Sequence, residues 1–470
     1  MQDKIAQLSA AEMLDAFHRK SLSPVEVTQA VMERAEELNP VLNAFCLLDA
    51  DAALSAAHAS EKRWRGGEPQ GFLDGVPISV KDIILTKGWP TLRGSKATDP
   101  NQAWNEDGPA VARLRENGAV IFGKTTTSEF AAKPITNTAL CGITRNPWNL
   151  DCTPGGSSGG AAASVAAGIS PLALGTDAGG SIRMPANFCG IFGFKPGGGV
   201  VPMYPPTPYA TLAGFGPLSR TVTDAARMLT VISQPDGRDW DALPYKDTRY
   251  HEQLNADPKT WRIAWSPTLC DAKVDPEVAA LTAAAAKTFE RLGAKVELVG
   301  TVFPEQRELL FKLMRGLTDF AFRTFTPEQL AVMDRDLVQR IETSRGATAI
   351  DHLDAEMGRA QLARRMNDFH QDYDLLLSPV NSVPAFSADL AGPPDYVSGS
   401  WYLFAHPFNL TRQPAASVPC GFTRSGLPVG LQIVGPRHQD LLVLQGARAY
   451  EEAAPWSTRR PTLARQKKDA

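Results

Sequence analysis

Residues 153–185 read TPGGSSGGAAASVAAGISPLALGTDAGGSIRMP. Two serine-glycine clusters, 153–160 and 175–181, enclose a run of small residues and a short apolar stretch. Glycine at this density costs too much backbone entropy for a helix interior, and serine competes for backbone hydrogen bonds. The clusters therefore read as loops. Between them, 159–168 reads as a helix of small residues packed tightly inside, and 172–174 as a strand. A linker, a phosphate cradle, a nucleophile elbow or another catalytic site would each use loops of this kind.

Working outward, strands and helices alternate. Ser9 with Glu12 and Ser23 with Glu26 form capping boxes, with Pro24 at a first helical position. Helices are predicted over 24–39, 50–65, 108–117, 275–292, 305–322 and 353–370. Short apolar runs at 76–80, 118–122, 262–265, 295–299, 374–377 and 431–434 read as strands. Residues 233–260 are polar and rich in turn signals, so they read as a surface connection. This alternation predicts an α/β fold: a single large domain whose central mixed, mostly parallel β-sheet carries helices on both faces.

Composition narrows the function classes. The 470 residues are 43% hydrophobic and 21% charged, with a net charge of −3. That is ordinary globular composition, and it points to neither nucleic acid nor an anionic membrane as partner. The six cysteines are scattered without a Cys-x-x-Cys pair, which indicates neither a zinc site nor a disulfide framework. The first residues, MQDKIAQLSAAEM, lack the apolar core of a signal peptide. No apolar run is long enough to span a bilayer, so the expected location is cytoplasmic. The basic tail (Arg459, Arg460, Arg465, Lys467, Lys468) reads as a frayed, solvated end.

Two short motifs match and mislead. GAVIFGKT (118–125) fits the phosphate-loop pattern, but its middle residues are an apolar strand rather than a loop of exposed N–H groups. Residues 155–159 fit Gly-x-Ser-x-Gly, yet the nucleophile elbow needs a strand directly before it. Here the polar, proline-broken stretch 145–154 precedes it.

No histidine occurs between His58 and His251, so a serine nucleophile in this region needs another base, and lysine is the alternative. Lys81 follows the apolar run 76–80. It projects either into a dry interior, where burial would keep it neutral, or out of a strand end as an exposed charge. In 175–181 the glycines either let consecutive N–H groups converge as an oxyanion nest ahead of Ser181 or form a tight turn.

Three segments together, GVPISVKD (75–82), PGGSSGG (154–160) and GTDAGGSIRMP (175–185), resemble the amidase signature family. GIFGFKP (190–196), GPLSRTV (216–222), PFNLT (407–411) and GLPVGL (426–431) extend the match. The resemblance implies one amidase domain over 1–470, with a signature core at about 70–225. Residues 235–455 would complete the sheet and shape the substrate pocket, and 456–470 would form a tail. It implies a serine acyl-enzyme with Ser181 as nucleophile, Ser157 as a relay held by a cis Gly156–Ser157 bond, and Lys81 as base. Ala178, Gly179, Gly180 and Ser181 would supply the oxyanion hole, and Ser158, Thr176, Asp177 and Arg183 would brace the site. No cofactor or metal is implied. The expected partner is a small amide or carbamate, with esters chemically accessible, and the assembly allows a homodimer. Tyr209 and the other aromatics of 203–209 and 401–404, with the helices of 305–370, are expected either to line the pocket or to be core. The A subunits of glutamyl-tRNA(Gln) amidotransferase share the signature and usually carry Lys-Arg-Arg-Ile before the late helices. Here Asp336–Thr343 reads DLVQRIET, which favours a stand-alone hydrolase.

Overall fold

The computed structural model describes residues 5–209, 211–397 and 399–463. Arg465, Lys467 and Lys468 of the basic tail lie outside the described residues. Its strands are β1 (Phe45–Leu48), β2 (Pro77–Lys81), β3 (Val120–Thr125), β4 (Asn137–Thr138), β5 (Gly142–Ile143), β6 (Leu172–Asp177), β7 (Phe192–Lys195), β8 (Gly214–Ser219), β9 (Arg262–Trp265), β10 (Lys295–Leu298), β11 (Leu375–Pro379), β12 (Ala415–Phe422) and β13 (Pro428–Val434). Eleven of them form one sheet in the order β1-β3-β2-β6-β8-β7-β12-β13-β11-β9-β10, and β4-β5 is a separate hairpin.

The sheet is mixed, but antiparallel pairing outweighs parallel. Only β3-β2, β2-β6, β11-β9 and β9-β10 run parallel; β1-β3, β6-β8, β8-β7, β7-β12, β12-β13 and β13-β11 are antiparallel. The expectation of a mostly parallel sheet failed in the middle. There β12 and β13 are joined through residues 423–427, and so short a return permits only antiparallel neighbours.

Alternate residues of a strand face opposite sides of the sheet. Leu172 and Leu174 join one core with Val111, Leu229 and Leu444. Ala173 between them packs with Ala161, Ala162, Ile182 and Ala186 on the other side. Apolar burial on both faces, at roughly 25 cal/mol per Å², holds the helices to the sheet.

Both capping boxes form: Ser9 with Glu12 and Ser23 with Glu26 open helices Ala10–His18 and Pro24–Leu42. Helix Gly159–Ala166 is buried at every position, and its opening glycines leave no room for a side chain. A Cβ at Gly160 would lie 2.4 Å from Ala44 O and 2.6 Å from Thr126 N. The described part of the tail is docked rather than frayed: Trp456 Nε1 donates to Arg220 O at 3.0 Å, and the Arg459 guanidinium sits 3.5 Å from the Phe422 ring centre. No helix among the described residues is long and apolar enough to cross a membrane.

Candidate active site

The site grows from the ends of two parallel strands. β2 and β6 pair in register from Ile78–Leu172 to Val80–Leu174. Their next residues, Lys81 on one strand and Gly175–Asp177 on the other, therefore finish side by side. All of β2 and β6 is buried, so Lys81 enters a dry interior. It is fully buried, which decides against an exposed strand-end charge. Its Nζ lies 2.7 Å from Ser157 Oγ and 2.8 Å from Thr176 Oγ1, both at hydrogen-bond distance. Burial holds its pKa well below the ordinary lysine value, and Asp177 only partly offsets this.

Asp82, the next residue, serves a different cluster. Lys124 Nζ lies 3.5 Å from Asp82 Oδ1 and donates to Ile84 O at 2.9 Å and Thr91 Oγ1 at 2.7 Å. Lys124 and Gly123 stand inside β3 between β1 and β2. GAVIFGKT is thus a buried strand, and its lysine is consumed within the core.

Ser157 follows a cis peptide bond from Gly156. No strand runs into it; the preceding described strand is β5, ending at Ile143, so the elbow geometry is missing. Ser158 clips the loop to β6: its Oγ donates to Thr176 O at 3.2 Å and accepts Thr176 N–H at 3.3 Å. Its own N–H donates to Ser181 O at 3.2 Å. Among the described residues, no side-chain hydrogen bond joins Ser157 to Ser181; the backbone link to Ser181 comes from Ser158, the next residue. Ser181 is 9% exposed.

Asp177 ties the nest together. Gly180 N–H donates to its Oδ1 at 2.7 Å and Ile182 N–H to its Oδ2 at 3.1 Å. The Gly180 N–H, expected among the oxyanion donors, is thereby engaged. Among the described residues, the N–H groups of Ala178, Gly179 and Ser181 have no acceptor. Burial alone would raise the Asp177 pKa, but Arg183 outweighs it and holds the carboxyl well below the usual range.

Arg183 is fully buried, with every donor used. Nε and Nη2 each reach Asp177 at 3.0 Å. Nη1 donates to Ala405 O and Gln432 Oε1, both at 2.8 Å, and Nη2 to Asn409 Oδ1 at 2.7 Å. Asn409 Nδ2 returns to Asp177 O at 2.9 Å and Leu212 O at 3.0 Å. The PFNLT motif contains Asn409 but gives no hint of this role, and no motif marks Gln432. A polar residue inside the apolar strand β13 was the available signal, because a buried amide needs partners.

The aromatics divide. Trp401 and Phe404 are core: Trp401 stacks on Phe188 at 5.9 Å, and both are buried. Tyr209 OH instead donates to Thr318 Oγ1 at 3.4 Å, joining its loop to helix Arg307–Phe322. Among the described residues, no group of three His, Cys, Asp or Glu side chains could hold a metal ion.

The chain is similar to known proteins over nearly its whole length. The Amidase family model matches residues 26–444. An acylamidase of Rhodococcus erythropolis is 35% identical over 470 residues, covering 97% of each chain. The A subunit of glutamyl-tRNA(Gln) amidotransferase from Geobacter metallireducens is also 35% identical, over 486 residues, covering 97% of this chain and 99% of that one. Among solved structures, a bacterial aryl acylamidase described as an amidase signature enzyme superposes with a TM-score of 0.88 at 31% identity. That match covers 96% of this chain and 97% of the other.

Proposed function

Since this chain belongs to the amidase signature family and is a hydrolase of amide C–N bonds, we propose that it cleaves acyl amides through a Ser181–Ser157–Lys81 relay. The observation that carries the reading is the 2.7 Å contact of Lys81 Nζ with Ser157 Oγ at a fully buried lysine.

A neutral amine has two N–H donors and one lone pair. With one N–H on Thr176, the lone pair is free to face the Ser157 hydroxyl, which can donate or accept. Lys81 takes the Ser157 proton as Ser157 takes that of Ser181, and Ser181 Oγ attacks the carbonyl carbon. The Ser157–Ser181 contact closes when substrate is bound, as catalytic hydrogen bonds often do. The N–H groups of Ala178, Gly179 and Ser181 receive the oxyanion, while Asp177 keeps Gly180 turned inward. The proton then returns along the relay to the leaving amine. Water, deprotonated by the same relay, attacks the ester carbonyl and releases the acid and Ser181. Carbamates and esters present the same carbonyl to this machinery.

A second reading, the glutamine-using A subunit of an amidotransferase, is favoured by the equal identity of such relatives. Against it stands the segment Asp336–Thr343. Its single arginine, Arg340, donates through Nη1 to Ala132 O at 3.0 Å. A hydrolysis screen over aliphatic amides, anilides, carbamates and glutamine separates the two. Anilide or alkyl-amide turnover by the isolated chain is expected. Ammonia release confined to glutamine, and stimulated by partner proteins, would overturn the stand-alone reading.

A further inference from the structure

Segment Ala405–His406 runs beside the glycine nest. A Cβ on Gly180 would collide with Ala405 Cβ at 2.5 Å. The space over Gly179 is open: a Cβ there would meet only His406 Cβ, at 4.0 Å. His406 Cβ therefore borders the open space over Gly179. It is held there by Pro407–Leu410, whose Asn409 N–H donates to His406 O at 3.0 Å.

The imidazole is 1% exposed, yet neither ring nitrogen has a hydrogen-bond partner. The Tyr402 backbone is near enough to favour the charged ring slightly, but it meets neither nitrogen in bonding geometry. A buried polar group left unpaired costs about 1–3 kcal/mol, and a phenyl ring would fill the same volume without that penalty. Burial, aided by Arg183 and Arg307, holds the His406 pKa down at about 4. Near neutral pH the ring therefore carries one donor and one acceptor and no charge.

We propose that His406 is a specificity-determining residue of this site, its imidazole hydrogen-bonding an uncharged polar substituent of the bound amide beside the scissile carbonyl. The proposal rests on Ser181 being the reacting centre. A site built to bond a polar group discriminates against an analogue that lacks it, because its own groups are then stranded.

The test uses two substrate pairs in which hydroxyl replaces methyl. Lactoyl against isobutyryl 4-nitroanilide varies the acyl part, and 4-hydroxyacetanilide against 4-methylacetanilide varies the amine. The wild-type chain is expected to favour the hydroxyl member of one pair by at least about fivefold in kcat/KM, one ordinary hydrogen bond. His406→Phe should bring that ratio to about one, and His406→Gln should restore part of it. The pair that responds tells which side of the amide meets the ring. An unchanged ratio in both variants, an equal fall for both members, or no wild-type preference in either pair overturns the proposal. Fluorophosphonate labelling of Ser181 is run alongside. Labelled Ser181 with an unmoved ratio removes only the role of His406, whereas absent labelling removes the reading beneath it. Should the Phe variant misfold, the Gln variant supplies the ratio.

Discussion

Lys81 and Asp177 end neighbouring parallel strands, yet each spends itself on other partners. Lys81 is hydrogen-bonded to Ser157 and Thr176, while the Asp177 carboxylate is taken up by Arg183, Gly180, Ile182 and Asn409. The lysine is thus left in a dry setting without a bonded counter-ion, which favours its neutral form.

That arrangement sets a pH dependence. Turnover should rise with pH through a Lys81 pKa lying well below the ordinary lysine value. Lys81→Arg, charged at every pH, should lose roughly 10³–10⁴ in kcat. Stability follows the same group. Between the lowered folded value and the unfolded value, the unfolded chain binds the extra proton, so stability rises with pH across that window. Thermal melts from pH 6 to 10 should show this slope in the wild type and a shallower one in Lys81→Met; identical slopes would contradict a neutral lysine.

Ser181→Ala should abolish amide hydrolysis, by at least about 10⁴-fold, with an unchanged circular dichroism spectrum. A fluorophosphonate should label Ser181 in the wild type and, more slowly, in Ser157→Ala. Labelling at Ser157 by peptide mass mapping would reverse the two serines.

Asp177→Asn should cost about 3–5 kcal/mol, because it strands the Arg183 charge in the interior. Denaturant midpoints measure it. The depressed Asp177 pKa adds stability that is full above the ordinary carboxylate range and lost as the solution is acidified below it. The variant should therefore lose less on acidification than the wild type.

Gly160→Ala should destabilise by about 1–3 kcal/mol, since the new methyl meets backbone atoms of Ala44 and Thr126. Gly66→Ala, with nothing within 4 Å, should be neutral or slightly stabilising. Equal melting temperatures for the two would refute the close packing of the helix at 159–166.

Lys124→Ala should destabilise by about 3–5 kcal/mol, because buried Asp82 loses its lysine and keeps, among the described residues, only the N–H groups of Leu92 and Gly94. Calorimetric titration of the wild type with magnesium ATP should show no binding. Tight binding lost in the variant would restore the nucleotide-loop reading.

Much of this was legible in the sequence where local chemistry acts alone. The capping serines Ser9 and Ser23, the apolar run before Lys81 and the small-residue helix each state their environment in a few residues. Strand direction did not show, because it depends on which strands end up adjacent: β8 inserts beside β6 although β7 comes first along the chain. Strands β1, β7, β8 and β12 and the hairpin β4-β5 were not predicted either, the first being only four residues long between two helices. In the site, the glycine pattern suggested a nest but could not show that Asp177 reaches back to Gly180. Nor could it show that Thr176 shares Lys81 with Ser157. His406 carried no motif; only burial without a partner makes it visible.

Arg183 has a consequence for how the molecule comes into being. Its contacts join residue 177 to residues 405, 409 and 432, so this full set of hydrogen bonds cannot form while the ribosome is still short of Gln432. Domains otherwise tend to organise from the N-terminus during synthesis. Here a nascent chain would carry Lys81, Ser157 and Ser181 for most of its translation before Ala405, Asn409 and Gln432 can meet Arg183. The hydrogen bonds of the arginine are complete only when both halves of the chain are present.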